Sequence, residues 1–218
     1  MHTLYYSPAA CSLAPHIVLE EIGKPYGLEW VQAGVKTVTP EWKAMNPKGR
    51  VPALSGVPGR IGGGTDLLTE ANAIMIYLGR TNPEAGLIPA DPAREARMIE
   101  WMNWLTSSFH AAAYASVRRP ARFVDDPALF PALQAKGMKT VLEQCAYIDG
   151  LLGDGRDWAV DGGYTLADPY LFTFWVFLYR LDGFDLGPFP AWTAHARKVL
   201  ARPATRRALE QEKIEVSV

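Results

Sequence analysis

The sequence predicts an α/β domain followed by an all-helical domain, and three observations predict it. Strand and helix signals alternate over residues 1–80. The stretch Thr81-Asn82-Pro83-Glu84-Ala85-Gly86 then interrupts all periodicity with turn-forming residues. After Asp91 the strand signals stop, and long helical patterns follow at about 92–117, 128–152, 166–181 and 190–210. The expected units are residues 1–80, a linker over 81–90, and a helical bundle over 91–218. With 218 residues, one large domain or two small ones can each bury a core.

His2–Tyr6 is a short β-prone run ended by Ser7-Pro8. Leu13, Ile17, Val18 and Ile22 recur at helical spacing, and Gly23 stops that helix. Tyr26–Gln32 reads as a second strand and Pro40–Met45 as a short helix. Val51–Leu54 and Asp66–Leu68 read as strands on either side of a Gly-rich turn over 56–64, and Glu70–Gly79 as a helix. The resulting order, β-α-β-α-β-β-α, is that of a thioredoxin-like domain. In the second half, Met138, Val141, Leu142, Cys145, Ile148 and Leu152 form one apolar stripe. Thr165-Leu166-Ala167-Asp168 has the form of a capping box, with a Thr and an acid three residues on.

Composition narrows the function classes. Apolar residues make up 49%, charged residues 21%, and the net charge is −1. No Lys/Arg block or acidic tail appears, so neither nucleic acid nor an anionic membrane is an expected partner. The apolar stretch Pro169–Leu181 is too short to span a bilayer. Met1-His2-Thr3-Leu4-Tyr5-Tyr6 lacks the basic-then-apolar form of a signal peptide, so a cytoplasmic location is expected. Two cysteines, Cys11 and Cys145, are too few for a disulfide scaffold. His2, His16, His110 and His195 are scattered, and no metal site is expected.

Four features could carry chemistry. Cys11 follows a strand and a Ser-Pro turn and precedes a helix, where the N-terminal dipole favours an anion and can lower a thiol pKa. On position alone it serves equally well as a small buried hydrophobe. No second Cys is near, so a dithiol cycle within this site is excluded and an external thiol would have to resolve any mixed disulfide. Val51-Pro52 stands at a strand entrance. A cis bond there would expose the Val51 backbone to an extended peptide, but a trans Pro is the commoner state. Glu70 opens a helix whose free N–H groups could take a ligand carboxylate while its own carboxylate takes an ammonium; a first-turn acid that merely favours the dipole is the simpler reading. Asn103, Ser107, His110 and Tyr114, spaced 4, 3 and 4, fall on one helical stripe free of Lys and Glu, with His110 a candidate hydrogen-bond donor or proton shuttle. Cys145 lies in the apolar stripe and reads as core.

Taken in order, these segments resemble cytosolic glutathione transferases over nearly the whole chain, and most of all the bacterial beta class. The resemblance rests on Leu4-Tyr5-Tyr6-Ser7-Pro8-Ala9-Ala10-Cys11-Ser12, Asn46-Pro47-Lys48-Gly49-Arg50-Val51-Pro52-Ala53-Leu54, and Leu68-Thr69-Glu70-Ala71 with Ile74 and Tyr77-Leu78. Thr165–Asp168 and Ala201-Arg202-Pro203-Ala204 extend it into the helical half. It implies a cis Val51–Pro52 bond and glutathione as co-substrate. Cys11 and His110 would be catalytic, with Cys11 touching glutathione sulfur or forming a mixed disulfide with it. Glutathione would lie against Tyr6, Ala10, Lys36, Arg50, Val51 and Pro52, with Glu70 and Ala71 at its γ-glutamyl end. Asn103, Ser107 and Ser108 would complete that site, and Phe109 and Tyr114 would line a pocket for a hydrophobic electrophile. The implied assembly is a homodimer in which Asn103 reaches the partner's site. The implied activity is conjugation, thiol–disulfide exchange, or both. Three positions depart from the pattern: Ala71 for Ser or Gly, Ala111 for a Lys, and the lengthened Gly-rich turn. Two rival classes use the same fold: a non-catalytic binding or regulatory protein, and a specialised glutathione-dependent dehalogenase or lyase. The Ser-Ser-Cys motif of the related isomerases is absent, since Ala9-Ala10 precede Cys11.

Overall fold

The computed structural model describes residues 1–59 and 66–218. Most of the expected Gly-rich turn, residues 60–64, lies outside the described residues. The N-terminal half contains β1 (Thr3–Tyr6), α1 (Leu13–Ile22), β2 (Gly27–Trp30), α2 (Pro40–Met45), β3 (Ala53–Ser55), β4 (Leu67–Thr69) and α3 (Ala71–Thr81). The strands form one mixed sheet of order β2-β1-β3-β4, with β1–β2 parallel and the other two pairs antiparallel. This is the predicted thioredoxin-like order.

Period-two alternation assigns the two faces of the sheet. Leu4 pairs with Leu54 and Leu54 with Leu68, and these face α1 and α3 in the larger core. Tyr5 pairs with Ala53, and that face packs with Val31, Trp42 and Val51 in a second, smaller cluster under α2. Gly23 ends α1 in the left-handed conformation, φ 70°, its N–H donating to the Leu19 carbonyl.

The second half contains α4 (Pro92–Trp104), α5 (Ala115–Arg118), α6 (Phe130–Leu152), α7 (Ala167–Tyr179), α8 (Pro190–Leu200) and α9 (Pro203–Glu212). The sequence predicts one helix over 92–117. Instead α4 passes into a π-helical segment, Leu105–Tyr114, before α5. The predicted helix over 190–210 is two helices, because Pro203 removes a backbone donor and opens α9. α7 is buried along its whole length from Ala167 to Leu178 and forms the axis of the bundle. One half of its predicted capping box forms: the Asp168 carboxylate accepts from Thr165 N at 2.7 Å, while Thr165 Oγ1 accepts from Ala167 N at 3.3 Å and Asp168 N donates to the Thr165 carbonyl at 3.2 Å. Asp168 also accepts from Ala159 N at 2.8 Å and pairs with buried His195 at 2.8 Å.

The two halves are bound by α9 lying along α1. Arg202 pairs with Glu21 at 2.5 Å and Arg207 with Glu20 at 2.5 Å. Fully buried His16 pairs with Glu212 at 2.9 Å, and Glu212 also accepts from Ala9 N at 3.0 Å. The last helix is thereby tied to the turn that carries Cys11.

Candidate functional site

Cys11 lies at the end of a tight turn between β1 and α1. Ser12 Oγ closes that turn, donating to the Ser7 carbonyl and accepting from Ser7 N, each at 3.1 Å. Ala10 N donates to the Ser7 carbonyl at 3.0 Å. Ala9 is held at φ 54°, a conformation L-residues rarely adopt, and its N–H is the one secured by Glu212. The outcome is a thiol directed at the neighbouring loop: Cys11 Sγ donates to the Val51 carbonyl at 3.4 Å. The Val51–Pro52 bond is cis, as the resemblance implies.

Two adjoining cavities meet at Cys11, Arg50, Val51, His110 and Arg122. The smaller, about 100 Å³, runs to the start of α3 and is lined by Pro52, Glu70, Ala71 and Ala111. Glu70 adopts φ 75° immediately before α3, and its carboxylate pairs with Lys48 at 2.5 Å. With side-chain exposures of 61% and 44%, that pair contributes little, about 0–1 kcal/mol, so an incoming ammonium can displace Lys48 at small cost. The larger cavity, about 660 Å³, opens between the halves and includes Ala10, Tyr114 and Phe177. His110 packs against Phe174 and Phe177, ring centroids 5.4 and 5.5 Å away.

The electrostatics oppose one of the two readings of Cys11, in which the start of α1 can lower a thiol pKa. Burial instead pushes it up to about 11, with Glu70 adding to the rise; Arg119, Arg50 and a backbone hydrogen bond offset only part of it. The thiol is therefore protonated at neutral pH in the free protein. His110 is held neutral: burial first, then the cations Arg119, Arg122 and Arg50, lower it to about 4.

Several predicted residues fall elsewhere. Phe109 is fully buried against Phe174 and Trp192 and is core, not pocket lining. Tyr6 packs on His16 at 5.8 Å and lines neither cavity. Lys36 points outward to Glu29 at 3.5 Å, while Thr37 and Val38 beside it reach the larger cavity. Asn103 and Ser107 are exposed, Asn103 accepting from Asn72 Nδ2 at 3.1 Å and Ser107 Oγ donating to the Asn103 carbonyl at 2.9 Å. Ser108 lines neither cavity. The predicted stripe breaks because i→i+5 bonding widens the turn over Leu105–Tyr114. Three residues then complete less of a turn, so His110 diverges from Ser107, and Thr106, His110 and Tyr114 line the cavities instead.

Sequence reasoning missed Thr106 and Tyr170, whose hydroxyls bond at 2.9 Å and which line the smaller cavity with His110, and it missed Arg118, Arg119, Arg122 and Arg180. The only available signal was the basic run Arg118-Arg119-Pro120-Ala121-Arg122, which is too short to read as a patch.

The sequence matches two family models, the N-terminal domain of glutathione S-transferase over residues 9–81 and its C-terminal domain over 110–203. It is 34% identical to glutathione S-transferase GstA of Escherichia coli O157:H7, the alignment covering 96% of this chain and 98% of that one. A glutathione transferase homologue from Sulfitobacter, solved with bound glutathione, superposes with a TM-score of 0.86 at 31% identity, covering 97% and 98% of the two chains. A bacterial beta class glutathione S-transferase of Sphingomonas chungbukensis superposes at 0.81 with 27% identity, covering 98% and 100%.

Proposed function

The chain belongs to the glutathione S-transferase family, and from that premise we propose that Cys11, the Val51 backbone and Glu70 form the glutathione site of an enzyme that both conjugates and exchanges thiols. The observation that carries this reading is the contact between Cys11 Sγ and the Val51 carbonyl, in a cavity that continues to the start of α3. Extended glutathione fits that path. Its cysteinyl backbone pairs with Val51 as an added strand, its γ-glutamyl carboxylate meets the free N–H groups of α3, and its ammonium replaces Lys48 on Glu70.

The raised Cys11 pKa divides the chemistry. In conjugation the nucleophile is the sulfur of glutathione, and protonated Cys11 is a hydrogen-bond donor to it. The sulfur bonds to the electrophilic carbon, the leaving group departs with its electron pair, and the glutathione proton passes to water. In exchange the small thiolate fraction of Cys11 attacks a glutathione disulfide. A Cys11–glutathione disulfide forms, and glutathione thiolate leaves and takes up a proton; the thiolate of an acceptor thiol then attacks the glutathionyl sulfur, leaves as its own glutathione mixed disulfide, and frees Cys11 as the thiol. Neutral His110 and the surrounding arginines favour the developing thiolates.

Incubation with glutathione disulfide should add one glutathionyl mass to the wild type and none to Cys11→Ala; an unchanged adduct in the variant would remove Cys11 from the mechanism. Failure both to bind immobilised glutathione and to turn over any thiol substrate would overturn the enzyme reading. We further propose a cytoplasmic homodimer in which exposed Asn103, beside Asn72, faces the partner's site; sedimentation of Asn103→Arg against the wild type tests it.

A further inference from the structure

The larger cavity carries more positive charge than the carboxylates of glutathione can match. Arg50, Arg118, Arg119, Arg122 and Arg180 line it, and no Asp or Glu does. Elsewhere among the described residues, Arg80, Arg97, Arg156, Arg202 and Arg207 each have a carboxylate partner, and those without one, Arg94, Arg197 and Arg206, do not line this cavity. Among the described residues, none of the five cavity arginines has one. Five cations converge on one opening in a chain of net charge −1. Their crowding is felt locally, since the Arg122 pKa is lowered by burial and then by Arg119 and Arg50.

Glutathione carries two carboxylates and one ammonium. On the reading above, one carboxylate is met at α3, leaving the glycyl carboxylate for one cation on the Arg50 side. Four arginines on the helical side then remain unmatched, beside an aromatic wall in which Tyr114 and Phe177 lie 5.1 Å apart. An aromatic wall ringed by guanidinium groups suits an aromatic anion, which can stack on the rings and take paired hydrogen bonds from arginine.

We infer that the second substrate is an aromatic electrophile bearing a carboxylate or similar anionic group, held by Arg118, Arg119, Arg122 and Arg180 with its ring against Tyr114 and Phe177. The inference rests on the glutathione reading. With halide as the leaving group, glutathione sulfur forms a C–S bond at the ring carbon that carries it, the carbon–halogen bond breaks, halide leaves, and the thiol proton passes to water. The distal anion stays on the arginines throughout.

The test uses the intact protein saturated with unreactive S-methylglutathione and two ligands differing by one carboxylate, 3,5-dinitrobenzoate and 1,3-dinitrobenzene. Calorimetric titration should give at least about tenfold tighter binding of the benzoate. That preference should fall about tenfold in Arg122→Gln and in Arg180→Gln, and should shrink as salt is raised. Both arginines are exposed, so the variants should fold; circular dichroism checks this. With glutathione, turnover of 4-chloro-3,5-dinitrobenzoate should show the same loss in kcat/KM. Equal binding of the two ligands, or equal weakening of both by the substitutions, overturns the inference and leaves glutathione binding standing. Failure of S-methylglutathione to bind overturns the glutathione reading instead, and the same ligand pair on the free protein still decides the anion preference.

Discussion

Cys11 and His110 line the same two cavities, and burial leaves both uncharged. For Cys11 the rise from 9.0 to about 11 lowers the thiolate fraction near neutrality about a hundredfold relative to an ordinary thiol. Alkylation by iodoacetamide in the free protein should therefore keep accelerating past pH 9 without a plateau; a plateau below pH 8 would show that burial does not control the thiol. Buried Cys145, pushed up to about 12, should stay unmodified in the same experiment. His110 has the opposite sign. The unfolded chain takes up its proton near pH 6.5 and the folded protein only near 4. The stability this histidine contributes is present above pH 6.5 and is lost as pH falls toward 4, up to roughly 3 kcal/mol. Urea unfolding at pH 7 and pH 4.5 should show a smaller drop in His110→Gln than in the wild type, and parallel drops would refute the assignment.

At the scale of elements, the helical half depends on a buried carboxylate and on one close approach. Asp168 gathers Thr165 N, Ala159 N and His195 at the start of α7. Asp168→Ala leaves those donors buried and unpaired, and a loss of about 3 kcal/mol, roughly 6–12 °C in Tm, is expected by calorimetry. Gly137 lets α6 touch α5: a Cβ there would lie 2.0 Å from Ser116 Oγ and 3.1 Å from Val117 Cγ2. Gly137→Ala should cost about 1–3 kcal/mol, and adding Ser116→Ala should recover part of it. The capping box at α7 was legible because caps are local. The π segment was not, since i→i+5 bonding has no composition of its own, and it is this segment that carries Ser107 outward and Thr106 into the smaller cavity.

For the whole molecule, the long-range tie is α9 on α1. Glu212, 203 residues along the chain from Ala9, fixes the backbone of the Cys11 turn. Glu212→Ala leaves Ala9 N and His16 Nδ1 without their partner. About 3 kcal/mol of stability should be lost, and amide exchange over residues 8–12 should quicken; unchanged exchange there would show that the turn holds itself.

By itself the sequence determined the order of strands and helices in the N-terminal half, the turn that carries Cys11 ahead of α1, the Val51-Pro52 pair before β3, and Glu70 at the start of α3. Each is written in neighbouring residues: alternation, helical spacing, turn formers and caps. The tertiary structure alone decided that the Cys11 thiol is protonated, that Phe109 belongs to the core, and that Arg50 meets Arg118, Arg119, Arg122 and Arg180 across one cavity. Those properties are sums over groups far apart in the chain. Desolvation and charge density depend on which segments pack together, and helix phase depends on hydrogen bonding that local composition does not encode.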